Sequence, residues 1–124
     1  MYIINIKEEF CAAHAVYCNN ELETLHGHNW LIELKIMGKE LDQNGMLIDF
    51  YEIKKMLQSV LQKLDHQNLC CLDYFKHSTT ECIAEWIYVQ LEKLLEIYKI
   101  KVQEVTVWET NDCSVTYQKK EELC

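Results

Sequence analysis

His26-Gly27-His28-Asn29-Trp30-Leu31-Ile32-Glu33-Leu34-Lys35-Ile36-Met37 is the stretch on which the reading of this chain turns. From His28 to Met37 it alternates, with Trp30, Ile32, Leu34 and Ile36 on one side and Glu33 and Lys35 on the other. That is the period of a strand with one buried face. Residues two apart on a strand point the same way, so His26 and His28 reach toward one point, and Gly27 keeps the backbone between them uncrowded. The isolated His14 completes a set of three imidazoles. Three histidines fill three corners of a tetrahedron and leave the fourth for water or a ligand, the pattern of catalytic rather than structural zinc. A His-x-His pair alone is more often an accident of surface or core, so the metal reading rests on what surrounds it.

Working outward, Tyr2 to Phe10 is rich in strand formers and precedes the histidine strand. From Tyr51 to Leu64 the apolar residues Ile53, Met56, Leu57, Val60, Leu61 and Leu64 recur at three and four, which predicts an amphipathic helix. A second helix carries the stripe Ile83, Ile87, Leu91, Leu94 and Tyr98, with Ser78-Thr79-Thr80-Glu81 as a capping box at its start. Val102 to Thr110 alternates Val105, Val107 and Glu109 against Thr106 and Trp108; Asn111-Asp112 then turns the chain into a last strand, Cys113 to Gln118. The tail Lys119 to Cys124 is polar and expected to fray. The order β-β-α-α-β-β predicts an α+β fold, a four-stranded antiparallel sheet with both helices on one face. Both edges of such a sheet are open, which favours subunits that continue it.

Composition narrows the function. An apolar fraction of 49% over 124 residues, with no proline, repeat or linker, fits a single ordered domain spanning residues 1–124. No apolar run is long enough for a membrane span, and Met1-Tyr2-Ile3-Ile4-Asn5 lacks the start of a signal peptide, so the expected location is cytoplasmic. The seven cysteines are odd in number and form no Cys-x-x-Cys pair, and adjacent Cys70-Cys71 is poorly placed to bridge; they read as reduced thiols, mostly core residues. Cys18, near the histidines, is the reactivity candidate. Net charge is −8 and all twelve basic residues are lysine, so no guanidinium fork exists for phosphate or guanine and nucleic acid is not an expected partner. A phosphate ester would have to be met by lysine, histidine, amides or metal; Lys76 and His77 precede a helix start, a natural anion site, or are ordinary loop residues.

Six blocks in order carry a resemblance: Phe10-Cys11-Ala12-Ala13-His14, Leu25-His26-Gly27-His28-Asn29-Trp30, Gly45-Met46-Leu47-Ile48-Asp49-Phe50, Leu64-Asp65-His66, Thr79-Thr80-Glu81 and Val107-Trp108-Glu109-Thr110. Together they resemble the family of 6-pyruvoyl-tetrahydropterin synthase and 6-carboxy-tetrahydropterin synthase, across nearly the whole chain. The resemblance implies the tunnelling fold, with subunits closing a barrel as trimers and two trimers stacking as a homohexamer, active sites lying between subunits. It implies Zn2+ on His14, His26 and His28, acting on the side-chain hydroxyls of 7,8-dihydroneopterin triphosphate so that a proton can be removed. It also implies that His66 transfers protons while Asp65 orients it, that Glu109 accepts two parallel hydrogen bonds from the pterin ring, and that Thr80 and Glu81 assist ring binding. Read without the family, Asp65-His66 is a helix C-terminal cap, Glu109 an exposed strand acid and Glu81 part of a capping box.

One position departs from that family. The cysteine base of common bacterial members sits four positions before the first histidine of His-Gly-His; Leu22 stands there in this chain. Glu23 follows it, similar to a variant subgroup in which glutamate replaces the thiol and the side chain is cleaved to 6-hydroxymethyl-dihydropterin, a folate precursor. Cys18 lies five positions before Glu23 and is a candidate assistant. The favoured expectation is a Glu23-dependent enzyme of that subgroup. The alternatives are 6-carboxy-tetrahydropterin synthase of queuosine biosynthesis, a zinc hydrolase acting on another substrate, and a non-catalytic zinc or pterin-binding module with a fourth protein ligand.

Overall fold

The alternation around Trp30 becomes a strand in the computed structural model, which describes residues 1–120. The elements are β1 (Tyr2–His14), a small hairpin of β2 (Tyr17–Cys18) and β3 (Glu21–Leu22), β4 (His26–Gly38), α1 (Phe50–Leu61), a 3-10 turn (Leu69–Cys71), α2 (Thr80–Leu94), β5 (Lys101–Thr110) and β6 (Cys113–Tyr117). The main sheet runs β1-β4-β5-β6, antiparallel at every step. Both helices pack on one face, as the element order predicts. Ile6 and Phe10 of β1, Trp30, Ile32, Leu34 and Ile36 of β4, and Val105 and Val107 of β5 meet Ile53, Leu57 and Val60 of α1 and Ile83, Ile87 and Leu91 of α2. Each such burial removes apolar surface worth about 1.5–3 kcal/mol from water.

Several boundaries differ from the sequence reading, each for a local reason. β1 runs on past Phe10 to His14, because Cys11–His14 is paired with His26–Asn29 on one side and held by residues 65–68 on the other. Those partners override the weak strand preference of two alanines. The small hairpin was not foreseen; its turn residues Asn19 and Asn20 have φ of 52° and 66°, conformations that asparagine tolerates better than most residues. Val102 and Val105 are both buried although three apart, since a bulge at Lys35/Ile36 resets the register between β4 and β5. α2 stops at Leu94. Leu94 is exposed, Leu95 is buried in its place, and Tyr98 lies beyond the helix with its hydroxyl donating to Glu52 at 2.6 Å.

Two further expectations are corrected. The cap of α2 is Thr79, whose side chain accepts from the Cys82 N–H, so Glu81 is exposed in the first turn and closes no capping box with Ser78. Among the described residues the cysteines are not core residues: Cys11, Cys18, Cys70, Cys71 and Cys113 are exposed and Cys82 is half-buried, all as free thiols. Cys11, Cys18 and Cys113 lie on strands, Cys70 and Cys71 in the 3-10 turn and Cys82 in the first turn of α2, and the core is filled by aliphatic and aromatic residues. The expectations for residues 121–124 lie outside the described residues. Among the described residues no helix is long and apolar enough to cross a membrane.

Candidate metal centre

Antiparallel pairing brings the end of β1, the start of β4 and the end of β5 to one end of the sheet, where α2 begins. His14 and His26 are register partners across β1 and β4, and Ala12 opposes His28. His14, His26, His28 and Glu109 each present one ligand atom, and these atoms lie within 4.8 Å of one another. The imidazoles stand nearly perpendicular, with interplanar angles of 70°, 72° and 86°, over the fully buried indole of Trp30. That indole is fixed by its Nε1–H donating to the Ala12 carbonyl at 3.1 Å. Gly27 does not make room: a Cβ there would meet only the Ala12 carbonyl oxygen at 3.9 Å. The two-residue spacing, rather than the glycine, aligns the histidines.

The ring nitrogens divide their work. His14 Nδ1 lies 2.7 Å from the Ser78 carbonyl and His26 Nδ1 lies 2.8 Å from the Thr24 carbonyl. A carbonyl only accepts, so both Nδ1 atoms carry protons and a neutral ring presents a bare Nε2. Those Nε2 atoms nevertheless face carboxylates: His14 Nε2 is 3.1 Å from Glu109 Oε1, and His26 Nε2 is 3.7 Å from Glu23 Oε1. Lone pair against carboxylate is repulsive unless a proton or a cation lies between. His28 Nε2 is also 3.1 Å from Glu109 Oε1, yet it is buried with no hydrogen-bond partner. Burial pulls His28 below the ordinary imidazole value, with His14 and His26 adding to the effect against the opposing Glu109 carboxylate, which favours the neutral, ligating form. An orphaned buried nitrogen, two more that are bare when their rings are neutral, and an acid converge on one point, a donor set able to hold a metal ion.

Glu109 does more than face the histidines, since its Oε2 accepts from the Thr80 hydroxyl at 3.1 Å. Thr80 is buried at the first position of α2, so the helix start and the sheet end share this carboxylate. Glu23 reaches the cluster because the small hairpin folds back: its N–H donates to the Val16 carbonyl, and its Oε1 accepts from the Val16 N–H, both at 3.0 Å. Cys18, exposed and paired with Glu21 in the hairpin, makes no hydrogen bond to the cluster. Nor does the exposed Glu81.

Asp65 and His66 form a separate corner. Asp65 Oδ1 accepts from the Cys11 N–H at 2.9 Å, and Oδ2 lies 2.8 Å from His66 Nδ1. The Cys11 amide, followed by His66, holds the Asp65 carboxyl below its usual value. His66 has φ of 59°, the left-handed conformation that ends a helical turn, and its side chain is 81% exposed. Cys11 and His14 are three residues apart on β1, about 10 Å along the strand, and no hydrogen bond or ring contact joins His66 to the three histidines.

The sequence names Ser78 only as part of a capping box, and its contact with His14 is illegible there, because a backbone carbonyl that fixes a ring tautomer leaves no trace in residue type. The approach of Glu109 to the histidines is equally illegible there. Only the register of β5 against β4, with Leu31 opposite Trp108, places that acid beside Trp30.

Comparison with known proteins converges on one group. Residues 3–120 match the family model described as 6-pyruvoyl tetrahydropterin synthase. A putative 6-carboxy-5,6,7,8-tetrahydropterin synthase of Archaeoglobus fulgidus is 35% identical over 103 residues, covering 82% of this chain and 87% of the relative. The dihydroneopterin monophosphate aldolase of Pyrococcus furiosus is 36% identical over 109 residues, covering 88% and 90%. Among solved structures, 6-pyruvoyl tetrahydropterin synthase of Caenorhabditis elegans superposes with a TM-score of 0.80 at 26% identity over 97% of this chain and 98% of that one.

Proposed function

The chain belongs to the 6-pyruvoyl tetrahydropterin synthase family, and from that premise we propose that it is a zinc-dependent lyase cleaving the side chain of a phosphorylated 7,8-dihydroneopterin to 6-hydroxymethyl-dihydropterin. The observation that carries this reading is Glu23, one residue after the Leu22 position of the family's thiol base, whose Oε1 lies 3.7 Å from His26 Nε2. The likeness to a dihydroneopterin monophosphate aldolase supports the same branch. The substrate is the triphosphate of the family resemblance or the monophosphate in that relative's name.

Zn2+ on His14, His26 and His28 would acidify a bound side-chain hydroxyl. Glu23 takes the proton from the 2′-hydroxyl. The bond between the first and second side-chain carbons breaks, its electron pair passes into the ring C=N, and the second carbon leaves as the carbonyl of a two-carbon aldehyde carrying the phosphate. A proton returned to the first carbon completes 6-hydroxymethyl-dihydropterin. His66, oriented by Asp65, delivers it, and since this pair is exposed and remote within its own chain, it serves the site of a neighbouring subunit. Glu109 grips the pterin's amino and ring N–H groups. To do so its Oε1 leaves His14 and His28 while Thr80 retains Oε2, and Glu81 and Cys18 assist from the pocket rim. Subunits closing as trimers and stacking as a hexamer would cover the open sheet edges. One domain over residues 1–124, acting in the cytoplasm to form a folate precursor, completes the reading.

The likeness to a putative 6-carboxy-tetrahydropterin synthase favours a second reading, the queuosine branch. Product analysis separates them. Zinc-loaded protein is incubated with dihydroneopterin triphosphate and, separately, the monophosphate. Formation of 6-hydroxymethyl-dihydropterin, lost in Glu23→Ala and kept in Cys18→Ala, is the expected result; 6-carboxy-tetrahydropterin surviving Glu23→Ala sinks the proposal. Zinc bound without any turnover points to the non-catalytic module, with Glu109 as the permanent fourth ligand.

A further inference from the structure

Ser78 is a small residue in a loop, and nothing in its chemistry marks it for a site. It is nevertheless buried, at 6% exposure, and takes part in two sets of bonds at once. Its carbonyl receives the Nδ1 proton of His14 at 2.7 Å. Its hydroxyl donates to the Ala15 carbonyl at 3.2 Å and lies 3.3 Å from the Cys70 thiol. Cys70 Sγ in turn accepts from the Ala15 N–H at 3.2 Å. The Ala15 carbonyl accepts from the Ser78 hydroxyl at 3.2 Å and from the Cys70 thiol at 3.4 Å, and the Ala15 amide donates to the Cys70 sulfur. Ala15 directly follows His14, so this ring of bonds ties the loop before α2 to the residue next to the ligand.

We propose that the Ser78 side chain is a positioning residue for the metal centre: by anchoring its own peptide to Ala15, it holds the Ser78 carbonyl where it commits the His14 proton to Nδ1 and leaves Nε2 bare for a cation. A ligating imidazole needs its second nitrogen engaged, because otherwise the ring rotates and half of its tautomers present N–H to the metal. For His14 that engagement comes from a loop peptide rather than from a side chain, and a loop peptide needs its own restraint. The Ser78 hydroxyl supplies it. His26, whose acceptor Thr24 is only two residues away on its own strand approach, has its acceptor placed locally and needs no such clamp.

The inference rests on the metal-binding part of the proposed function and not on the pterin chemistry. Ser78→Thr and Ser78→Val have the same shape and differ in the hydroxyl, so any effect of added bulk is common to both. Zinc affinity measured by competition with a chromophoric chelator is expected to be about 10- to 100-fold weaker in Ser78→Val than in Ser78→Thr, the loss typical of an outer-shell partner. Ser78→Ala against the wild type reads the same difference without added bulk. Cys70→Ala, which leaves the Ser78–Ala15 bond in place, loses less than Ser78→Ala. Equal affinities in the Thr and Val variants overturn the proposal, and so does a Cys70→Ala loss matching that of Ser78→Ala, which would assign the effect to loop packing.

A second measurement needs no metal. Nitrogen-15 NMR of the His14 ring in the metal-free protein is expected to show the Nδ1–H tautomer in the wild type and Ser78→Thr, and a tautomer mixture in Ser78→Val and Ser78→Ala. The same tautomer in all four overturns the proposal even if zinc binding should fail in the wild type, an outcome that would count separately against the metal reading itself.

Discussion

Two regions of β1 lie about 10 Å apart along the strand and are built on opposite plans. His14 is 1% exposed, its Nδ1 is committed to Ser78 and its Nε2 converges with His26, His28 and Glu109. At Cys11 the strand edge instead holds Asp65 by a backbone amide, and the attached His66 points its imidazole into solvent from a left-handed backbone. The four groups of the first region all come from one chain. The second has an oriented imidazole and nothing beside it to act upon. Burial lets a folded chain hold groups of one charge or bare lone pairs together for a ligand, whereas an exposed dyad is held for something that arrives from outside.

The sharpest way to break this contrast is to remove one histidine from each region. His66→Ala is expected to lower turnover by about 10²–10⁴-fold, the worth of a positioned acid or base, while leaving zinc affinity as in the wild type. His14→Ala is expected to lose more than the roughly 100-fold in zinc affinity that outer-shell changes cost, and turnover with it. Chelator competition and steady-state kinetics on the same samples read both. If His66→Ala weakened zinc binding comparably, the two regions would be one site and the contrast would fail.

Stability should divide along the same line. Trp30→Ala removes the floor under the imidazoles and is expected to cost about 3–5 kcal/mol in urea unfolding, a large share of a domain's stability. His66→Ala, at an exposed position, is expected to stay within about 0.5 kcal/mol of the wild type. A Trp30→Ala protein as stable as its parent would mean that the histidine end is not packed as described.

Mixing tests whether the dyad serves a neighbour. His14→Ala and His66→Ala subunits, denatured and reassembled together, should recover up to about a quarter of wild-type activity by random pairing, since only sites with an intact cluster from one chain and an intact dyad from the other are whole. No recovery would place both halves of the site in a single chain.

The smallest effect is expected in acid. The Asp65 carboxyl is held below its unfolded value by the Cys11 amide and by His66. The stability it contributes is therefore present above the unfolded carboxylate value and lost as pH falls through the lowered folded one. Asp65→Asn should flatten the decline of unfolding free energy below about pH 4 without altering the slope near neutrality. Because the group is exposed, the change is small, and an unchanged acid limb would remove Asp65 from the account.

Much of the scaffold was legible because periodicity is local. The alternation of Trp30, Ile32, Leu34 and Ile36 and the three-and-four spacing of Ile53, Leu57 and Val60 state which face is buried, and all of these residues are buried. Boundaries were less legible where tertiary partners decided them: β1 reaches His14 because residues 65–68 hold its edge, and α2 ends at Leu94 with Leu95 buried and Tyr98 bonded to Glu52 beyond the helix. The thiols misled because cysteine's usual preference for burial yields to position, and these positions face outward.

His-x-His spacing, the element order and the family blocks came from the chain alone, since each depends on neighbours a few residues apart or on residue identity. Folding alone decided that Glu109 stands against His14 and His28, that Glu23 is turned back toward His26, and that Ser78 governs a ring 64 residues away. Such pairings depend on strand register and loop closure, which a linear pattern constrains only through the three-dimensional packing it produces.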